Sequence, residues 1–432
     1  MQPRRVNFHT LGCKLNFSES STLAREFERG GFVRVAPTAD ADICVINSCS
    51  VTEHADKKCR NLIRKLHRRN PDAIIAVTGC YAQLKPQEIA QIEGVDIVLS
   101  NNDKGELYKR VVELSGKGHA QVYSCDTDSL TSFFAAFSSG DRTRAFLKVQ
   151  DGCDYCCSYC TIHYARGSSR NMPIADLVAE ARQIAAAGQR EIVLTGVNTG
   201  DFGRSTGERF IDLLRALVEV DGIERFRISS IEPNLLTDEI IEFCARSPKM
   251  MHHFHVPLQS GSDRILGLMR RRYTTARYAD RIASIRRLMP DAFIGIDVIV
   301  GFPGETDADF RATYDFLADL KPAFLHVFPF SERPGTPAVD LPGKVQPSVA
   351  TQRVAELEAL CEQLHRDFCA WAVGTEDTVL FESTRRGGMM FGFTGNYRRV
   401  KAPYDRSRVN TICRVKLGEM DDSHDLLGEI QD

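Results

Sequence analysis

The chain has 432 residues, 43% hydrophobic and 26% charged, enough for two or three domains with separate cores and too apolar for wholesale disorder. Its 55 Lys and Arg against 57 Asp and Glu leave a net charge of −2, so the overall field singles out no partner class. Fourteen cysteines, no charged-then-apolar leader at Met1-Gln2-Pro3-Arg4-Arg5 and no long apolar span read as cytoplasmic thiols and metal ligands rather than disulfides or membrane segments.

Up to about Ser115, short apolar runs alternate with helical patterns. Val6–Thr10, Ile43–Asn47, Ile74–Thr78 and Ile97–Leu99 read as strands, with amphipathic stretches such as Ser18–Arg29 and Glu53–Arg69 between them. This alternation predicts an α/β fold, a small open parallel sheet with helices on both faces. Ligands on such sheets bind beyond the carboxyl ends of the strands. Cys13, Cys49 and Cys80 each follow a strand by a few residues, so three loops can converge on one metal. Each could instead be a small buried hydrophobe, the usual fate of a free Cys. Cys44 and Cys59, inside a strand and a helix, read as packing residues, as do Cys244, Cys361, Cys369 and Cys413.

Asp126–Arg144 is a polar connection between domains, although Phe133, Phe134 and Phe137 imply that part of it packs. The next domain, 145–373, carries six strand patterns: Ala145–Val149, Glu191–Leu194, Arg225–Ser229, His253–Pro257, Phe293–Val300 and Ala323–Phe328. Helical patterns separate them, which predicts a parallel partial barrel of six β/α units whose chemistry sits in the loops after the strands. The first of those loops holds Cys153-Asp154-Tyr155-Cys156-Cys157-Ser158-Tyr159-Cys160. In this Cys-x3-Cys-x2-Cys spacing, Cys153, Cys157 and Cys160 can hold three corners of a cubane iron–sulfur cluster and leave its fourth iron open for chemistry. A closed zinc site with His163 as its fourth ligand is the structural alternative. The other loops contribute Gly196 and Asn198, Ser230 and Glu232, and Gln259, each a candidate contact or an ordinary turn residue. Lys148 and Asp297 fall inside apolar strands, where a charge requires a partner; Asp297 either faces the pocket and substrate or sits in a structural salt bridge.

A helix over Val349–Val373 leads to a third module, 374–432. Between Arg385 and Lys416 lie nine Lys or Arg and a single acid, Asp405, interleaved with Phe391, Phe393, Tyr397 and Tyr404. This pattern fits a small all-β barrel that grips nucleic-acid backbone and stacks bases, or else a solvated basic face. Arg398, Arg399 and Lys401 are its leading phosphate contacts; the arginines of Arg60–Arg69 and Arg270-Arg271-Arg272 are weaker ones. Leu417 to Asp432 turns acidic, as a tail or an edge cover.

The cysteine motif resembles the signature of the radical S-adenosylmethionine (SAM) superfamily. Thr10-Leu11-Gly12-Cys13-Lys14-Leu15-Asn16, Val45-Ile46-Asn47-Ser48-Cys49-Ser50-Val51-Thr52 and Val77-Thr78-Gly79-Cys80-Tyr81-Ala82-Gln83 extend that resemblance over nearly the whole chain to the methylthiotransferases. Leu11-Gly12-Cys13-Lys14, His255–Ser262 and Leu325–Pro329 look most like the branch acting on N6-threonylcarbamoyladenosine in tRNA. The branches acting on N6-isopentenyladenosine and on a ribosomal-protein aspartate are the alternatives. The resemblance implies domains at 1–125, 145–373 and 374–432, the last an RNA-binding TRAM domain. It implies two [4Fe-4S] clusters, one on Cys153, Cys157 and Cys160 that binds SAM, the other an auxiliary cluster on Cys13, Cys49 and Cys80 that carries the sulfur. Tyr159, Gly196, Asn198, Ser230, Glu232 and Gln259 would contact SAM, which serves as radical precursor and methyl donor. The implied partners are tRNA, an electron donor and a sulfur source. Two residues depart from the family pattern: Cys156, which creates a rival spacing, and His163, which stands where relatives usually carry proline, whose loss frees the backbone.

Overall fold

The computed structural model describes residues 3–114 and 116–431; the sequence readings at Met1, Gln2, Ser115 and Asp432 lie outside them. Strands β1 (Arg5–Thr10), β2 (Val33–Arg34), β3 (Ile43–Ser48), β4 (Ile74–Gly79), β5 (Val95–Leu99) and β6 (Gln121–Tyr123) form one parallel sheet in the order β2-β1-β3-β4-β5-β6. The central three are apolar runs buried along almost their whole length, as helices on both faces require. The two edges, β2 and β6, escaped the sequence reading because they are two and three residues long and partly exposed. Apolar clusters on either face, around Ile46, Ile63 and Tyr81 and around Phe8, Phe27 and Val45, supply the packing.

The connection before Arg144 is docked rather than loose. Ser138 N–H donates to Phe146 O and Lys148 N–H to Ala136 O, both at 2.9 Å, while Arg25 reaches Phe137 O at 2.7 Å. Strands β7 (Arg144–Lys148), β8 (Glu191–Thr195) and β9 (Arg225–Ile228) form one parallel ladder, and β10 (His253–His255), β11 (Phe293–Val300) and β12 (Phe324–Pro329) a second. A parallel bridge between Phe226 and Met250 and a bond from Ile231 N–H to His255 O at 3.0 Å join them. The six strands thus make a half-barrel with a seam rather than one unbroken ladder. Its outer helices start at sequence-encoded caps, among them Thr237 and the Thr306/Asp309 capping box. They bury the large apolar cluster that includes Leu147, Leu194, Phe226 and Ile296.

The helix Pro347–Ala370 leads into β13 (Glu376–Arg386), β14 (Met389–Thr394), β15 (Arg399–Pro403), β16 (Ile412–Met420) and β17 (Leu426–Gln431). These close into a barrel in the order β13-β14-β15-β17-β16. The acidic C-terminal segment is therefore structural: β17 pairs with β15 and β16 and removes both open edges. Among the described residues no helix is long and apolar enough to cross a membrane.

Candidate active site

The loops after β1, β3 and β4 bring Cys13, Cys49 and Cys80 to one end of the first sheet. Register does this: Thr10 pairs with Asn47 and Ser48 with Gly79, so equivalent chain positions leave the sheet side by side. Gly12 and Gly79 make the approach possible, with φ of +95° and +99°. A Cβ on Gly12 would lie 2.8 Å from both Cβ and Sγ of Cys49, so a side chain there would collide with the cysteine. Cys13 caps the helix Lys14–Arg29 and Cys80 opens the helix Cys80–Leu84.

The loop after β7 carries Cys153, Cys157 and Cys160. Cys153 N–H donates to Gly167 O at 2.9 Å, Ser158 Oγ to Leu268 O at 2.8 Å, and His163 Nδ1 to Cys153 O at 2.9 Å. The His163 bond ties the ring to the loop backbone, in place of the proline expected there. Arg271 Nη1 donates to Cys157 Sγ at 3.1 Å while its Nη2 pairs with Glu232. Burial pushes the Cys153 and Cys160 thiols up to about 12, and Cys49 likewise to about 12. Burial thus keeps Cys49, Cys153 and Cys160 protonated near neutral pH, and a metal bound there would have to displace those protons.

Three ligand atoms within 4.8 Å of one another occur, among the described residues, only at His255, Asp297 and His326. In each cysteine trio at least one pair of sulfurs therefore lies more than 4.8 Å apart, wider than around a mononuclear tetrahedral zinc, although within each trio the thiols interact electrostatically. A multi-iron cluster fits that spacing.

Between the trios lies a buried ion network. Lys148 Nζ meets Glu19 Oε1 at 2.9 Å and Asp151 Oδ2 at 2.6 Å, Arg166 Nη1 meets the same two acids at 3.1 and 2.8 Å, and Lys104 also pairs with Glu19. Arg170 reaches Asp151 at 3.4 Å. Lys104, Lys148, Arg166 and Arg170 face two carboxylates, Glu19 and Asp151, in a region no more than 6% exposed. The surplus positive charge borders Cys13 and Cys80, with which Arg166 interacts directly. An isolated buried surplus is costly. Lys148 and Asp297 thus have separate partners: Asp297 Oδ1 lies 2.8 Å from His255 Nε2.

The remaining sequence candidates ring the cysteine loop. Asn198 N–H donates to Gln150 Oε1 at 2.9 Å, yet its side-chain Oδ1 and Nδ2 are both buried without a protein partner. A donor and an acceptor orphaned together mark a place for a polar ligand. A Cβ on Gly196 would meet Gln150 Oε1 at 2.9 Å, the Ser230 carbonyl accepts from Thr199 Oγ1, and Tyr159 stands edge-on to Phe302 at 6.2 Å. Gln259, at φ 71°, receives Ile299 N–H on its carbonyl at 2.9 Å. Arg271 Nε reaches Tyr273 Oη at 3.0 Å, and that hydroxyl donates to Leu258 O at 2.8 Å, which links the Cys157 side to the loop before Gln259. Cys156 is exposed.

The RNA-contact expectation at Arg398 needs correction. Arg398 is 3% exposed, donates Nε to Phe368 O at 3.0 Å and lies over the Phe368 ring at 4.1 Å; it docks the barrel onto the long helix instead of facing phosphate. Arg399 pairs with Asp425 at 3.4 Å and Lys401 with Asp421. Phe393 and Tyr397 stack on each other at 4.8 Å and cover the half-barrel, Tyr397 against His253 at 4.9 Å. Arg225 fastens the same face to Thr378 O at 2.7 Å and Phe393 O at 3.0 Å. Sequence reasoning missed Arg166 and Arg271 as site residues and weighed Arg271 as an RNA contact; Arg271 is a buried bridge to Cys157.

A parallel half-barrel with a three-cysteine loop at its first strand end defines a radical SAM fold. The Radical SAM superfamily is matched over residues 147–317 and the Uncharacterized protein family UPF0004 over residues 5–100. A radical S-adenosylmethionine methyltransferase from Kitasatospora setae, with cobalamin and a [4Fe-4S] cluster bound, shares the fold with TM-score 0.57 and 15% identity over 90% of this chain and 81% of that one. Threonylcarbamoyladenosine tRNA methylthiotransferases of Bacillus subtilis and Thermotoga maritima are 40% and 36% identical over 95% and 96% of this chain, and 93% and 94% of their own lengths. A tRNA-2-methylthio-N(6)-dimethylallyladenosine synthase of Sphingopyxis alaskensis is 35% identical over 97% of this chain and 94% of its own. The chain belongs to the radical SAM methylthiotransferases, enzymes that form a C–S bond with SAM and [4Fe-4S] clusters as cofactors.

Proposed function

We propose that this enzyme converts N6-threonylcarbamoyladenosine beside the tRNA anticodon to its 2-methylthio derivative, in the cytoplasm, with an electron donor and a sulfur source as partners. The observation that carries the reading is the pairing of two wide cysteine trios across one buried cationic network, which fits two clusters in adjoining domains, 1–125 and 145–373. The substrate branch rests on the threonylcarbamoyl relatives, 36–40% identical over nearly the whole chain.

Cys153, Cys157 and Cys160 would hold one cluster, and Cys13, Cys49 and Cys80 the other. Bound SAM and clusters supply the oxidising equivalent, the sulfur and the methyl group, since an unactivated aromatic C–H lies beyond side-chain acid–base chemistry. The protein's part is placement. Arg271 donates a hydrogen bond to Cys157 Sγ and is itself held by Glu232, and donors to ligand sulfur tune a cluster's potential. Asn198 offers one donor and one acceptor for the polar end of SAM, beside Gly196, whose missing Cβ leaves room against Gln150. Tyr159, Ser230, Glu232 and Gln259 complete the wall. The Arg166–Glu19 pair ties the loop of one trio to the helix that follows Cys13, and substrate would sit between the two trios. Asp297, held by His255, lines the half-barrel on the substrate side. In the 374–432 module, the TRAM domain in this reading, Arg398 is structural and Arg399 and Lys401 contact RNA phosphate only by exchanging their acidic partners.

Reconstituted enzyme incubated anaerobically with SAM, reductant and tRNA carrying either modified adenine, followed by nucleoside mass spectrometry, tests the reading. A 2-methylthio product on the threonylcarbamoyl tRNA supports it; product only on the dimethylallyl tRNA transfers the chain to the other branch.

A further inference from the structure

Behind Cys13 lies a cavity of about 240 Å³, bounded by Lys14, Arg142, Arg144, Arg227 and Tyr397 with no carboxylate in its wall. Its size suits a substituent rather than a whole nucleoside. Two of its four cations are already satisfied: Arg144 pairs with Glu382 at 3.1 Å and Arg227 with Glu191 at 2.9 Å. The other two, Lys14 and Arg142, are exposed at the cavity mouth and have no acidic partner among the described residues. Among those residues the Lys14 ammonium has no hydrogen bond or ion pair, and the Arg142 guanidinium overlies the Phe17 ring at 4.5 Å and the Phe146 ring at 6.0 Å. Tyr397 reports the resulting field: burial pushes its phenol up, yet Arg144, Lys14 and Arg227 together bring it below 10. A cavity walled in this way repels cations, wastes its donors on a hydrocarbon and retains an anion.

We propose that this cavity is a carboxylate subsite, in which Lys14 and Arg142 receive the free carboxylate of the amino-acid substituent on N6 of the substrate adenine and so set which modified adenine the enzyme accepts. The inference rests on the reading above and adds the residues that choose the substrate. Position supports it as well as charge. In adenine, C2 and C6 both flank N1, so a group on N6 projects along the edge that C2 shares. A carboxylate seated between Lys14 and Arg142 leaves C2 on the side of Cys13, a cavity residue and one of the trio that would carry the sulfur. A dimethylallyl group has no atom that could satisfy either cation. Arg142 is planar and suited to grip a carboxylate with two donors, and Lys14 adds a point charge beside it.

Two other roles would also use these cations: balancing the charge of a cluster at Cys13, and holding an RNA phosphate. The deciding measurement is anaerobic binding of reconstituted enzyme to two anticodon stem-loop RNAs, one with the threonylcarbamoyl carboxylate free and one with it converted to the neutral methylamide. The free acid is expected to bind about tenfold tighter or more, as for loss of a charge-assisted hydrogen bond. In the Lys14→Met/Arg142→Gln double variant both RNAs should bind alike, at the methylamide's affinity, while Lys14→Arg keeps the preference. Iron content and the Arg142→Gln single variant, which is further from the cysteine, guard against a merely misassembled site. Equal binding of the two RNAs to the unaltered enzyme overturns the proposal, and so does a double variant that weakens both RNAs equally, the mark of a phosphate contact. Failure of the substrate reading looks different: 2-methylthio product on dimethylallyl tRNA and none on threonylcarbamoyl tRNA.

Discussion

The two cysteine trios are built in opposite ways. Cys153, Cys157 and Cys160 lie within eight consecutive residues, shaped by local bonds from His163 to Cys153 O and from Cys153 N–H to Gly167 O and braced by longer-range bonds from Ser158 to Leu268 O and from Arg271 to Cys157. Cys13, Cys49 and Cys80 are separated by more than thirty residues at each step and meet only because β1, β3 and β4 stand in register. A one-residue slip in any of those strands would turn its side chains to the other face and displace its cysteine. The first trio is a property of a loop, the second of a sheet, so the two should fail under different perturbations.

Removing the ligands is the largest perturbation. Replacing Cys153, Cys157 and Cys160 with Ala is expected to lower iron from about eight to about four per chain, the content of one [4Fe-4S] cluster, and to abolish SAM cleavage. Replacing Cys13, Cys49 and Cys80 should remove the other four, abolish methylthio product and leave SAM cleavage measurable. Iron analysis and quantification of cleaved SAM check both; loss of all iron in either variant would break the claim that the sites are separate.

Next in size is the network that joins them. Glu19→Gln removes the carboxylate shared by Lys104, Lys148 and Arg166 and leaves them buried with less compensation. A cost of about 3–5 kcal/mol is expected for a broken buried pair, read as a lower urea midpoint. Although burial alone would raise it, the Glu19 pKa is held well below 4.5 by Arg166, Lys104 and Lys148. With the folded pKa depressed, the stabilisation is present above the unfolded value of 4.5 and lost as pH falls through the folded one. Below 4.5 the unaltered protein should therefore lose stability more steeply than Glu19→Gln. Both trios should be affected, because the network touches both domains.

How much of this was legible in the sequence follows from the same contrast. The Cys-x3-Cys-x2-Cys loop could be read from spacing alone, and the second trio from spacing plus the rule that ligands gather at strand ends. The buried strands of the first sheet and of the half-barrel were readable because buried parallel strands are continuous apolar runs, whereas the exposed edges β2 and β6 were not. The partners that connect the sites were not. Lys148 and Arg166 find Glu19 more than a hundred residues away, and nothing in the local pattern marks Arg271 as buried while its neighbours in the Arg270-Arg271-Arg272 run serve elsewhere. The C-terminal barrel misled for a related reason. Composition records that basic and aromatic residues alternate, and not that Arg398, Phe393 and Tyr397 occupy the face turned to the half-barrel.

Gly12→Ala probes the sheet-built trio alone. The residue sits at φ +95°, and the added methyl would lie 2.8 Å from the Cys49 sulfur. Left-handed strain with a misplaced ligand is expected to cost about 1–3 kcal/mol and to lower iron at the Cys13 site, while SAM cleavage persists. If cleavage falls in parallel with that iron, the two sites are not as separable as their construction implies.

The smallest effect belongs to the loop-built trio. His163→Ala removes one hydrogen bond to the Cys153 carbonyl, worth about 0.5–1.5 kcal/mol, and leaves the three cysteines in place. Iron content after reconstitution should be unchanged, because the ligands still lie within one short loop. The rate at which a chelator strips the Cys153 site should rise a few-fold, in line with that energy, and the Cys13 site should lose iron at its original rate. His163→Pro should restore the slower rate if ring and proline serve the same purpose, one by bonding the backbone and the other by restricting it. An unchanged stripping rate in His163→Ala would mean that the bonds at Gly167 and Leu268 already hold the loop, and that the histidine is a tolerated replacement rather than a compensating one.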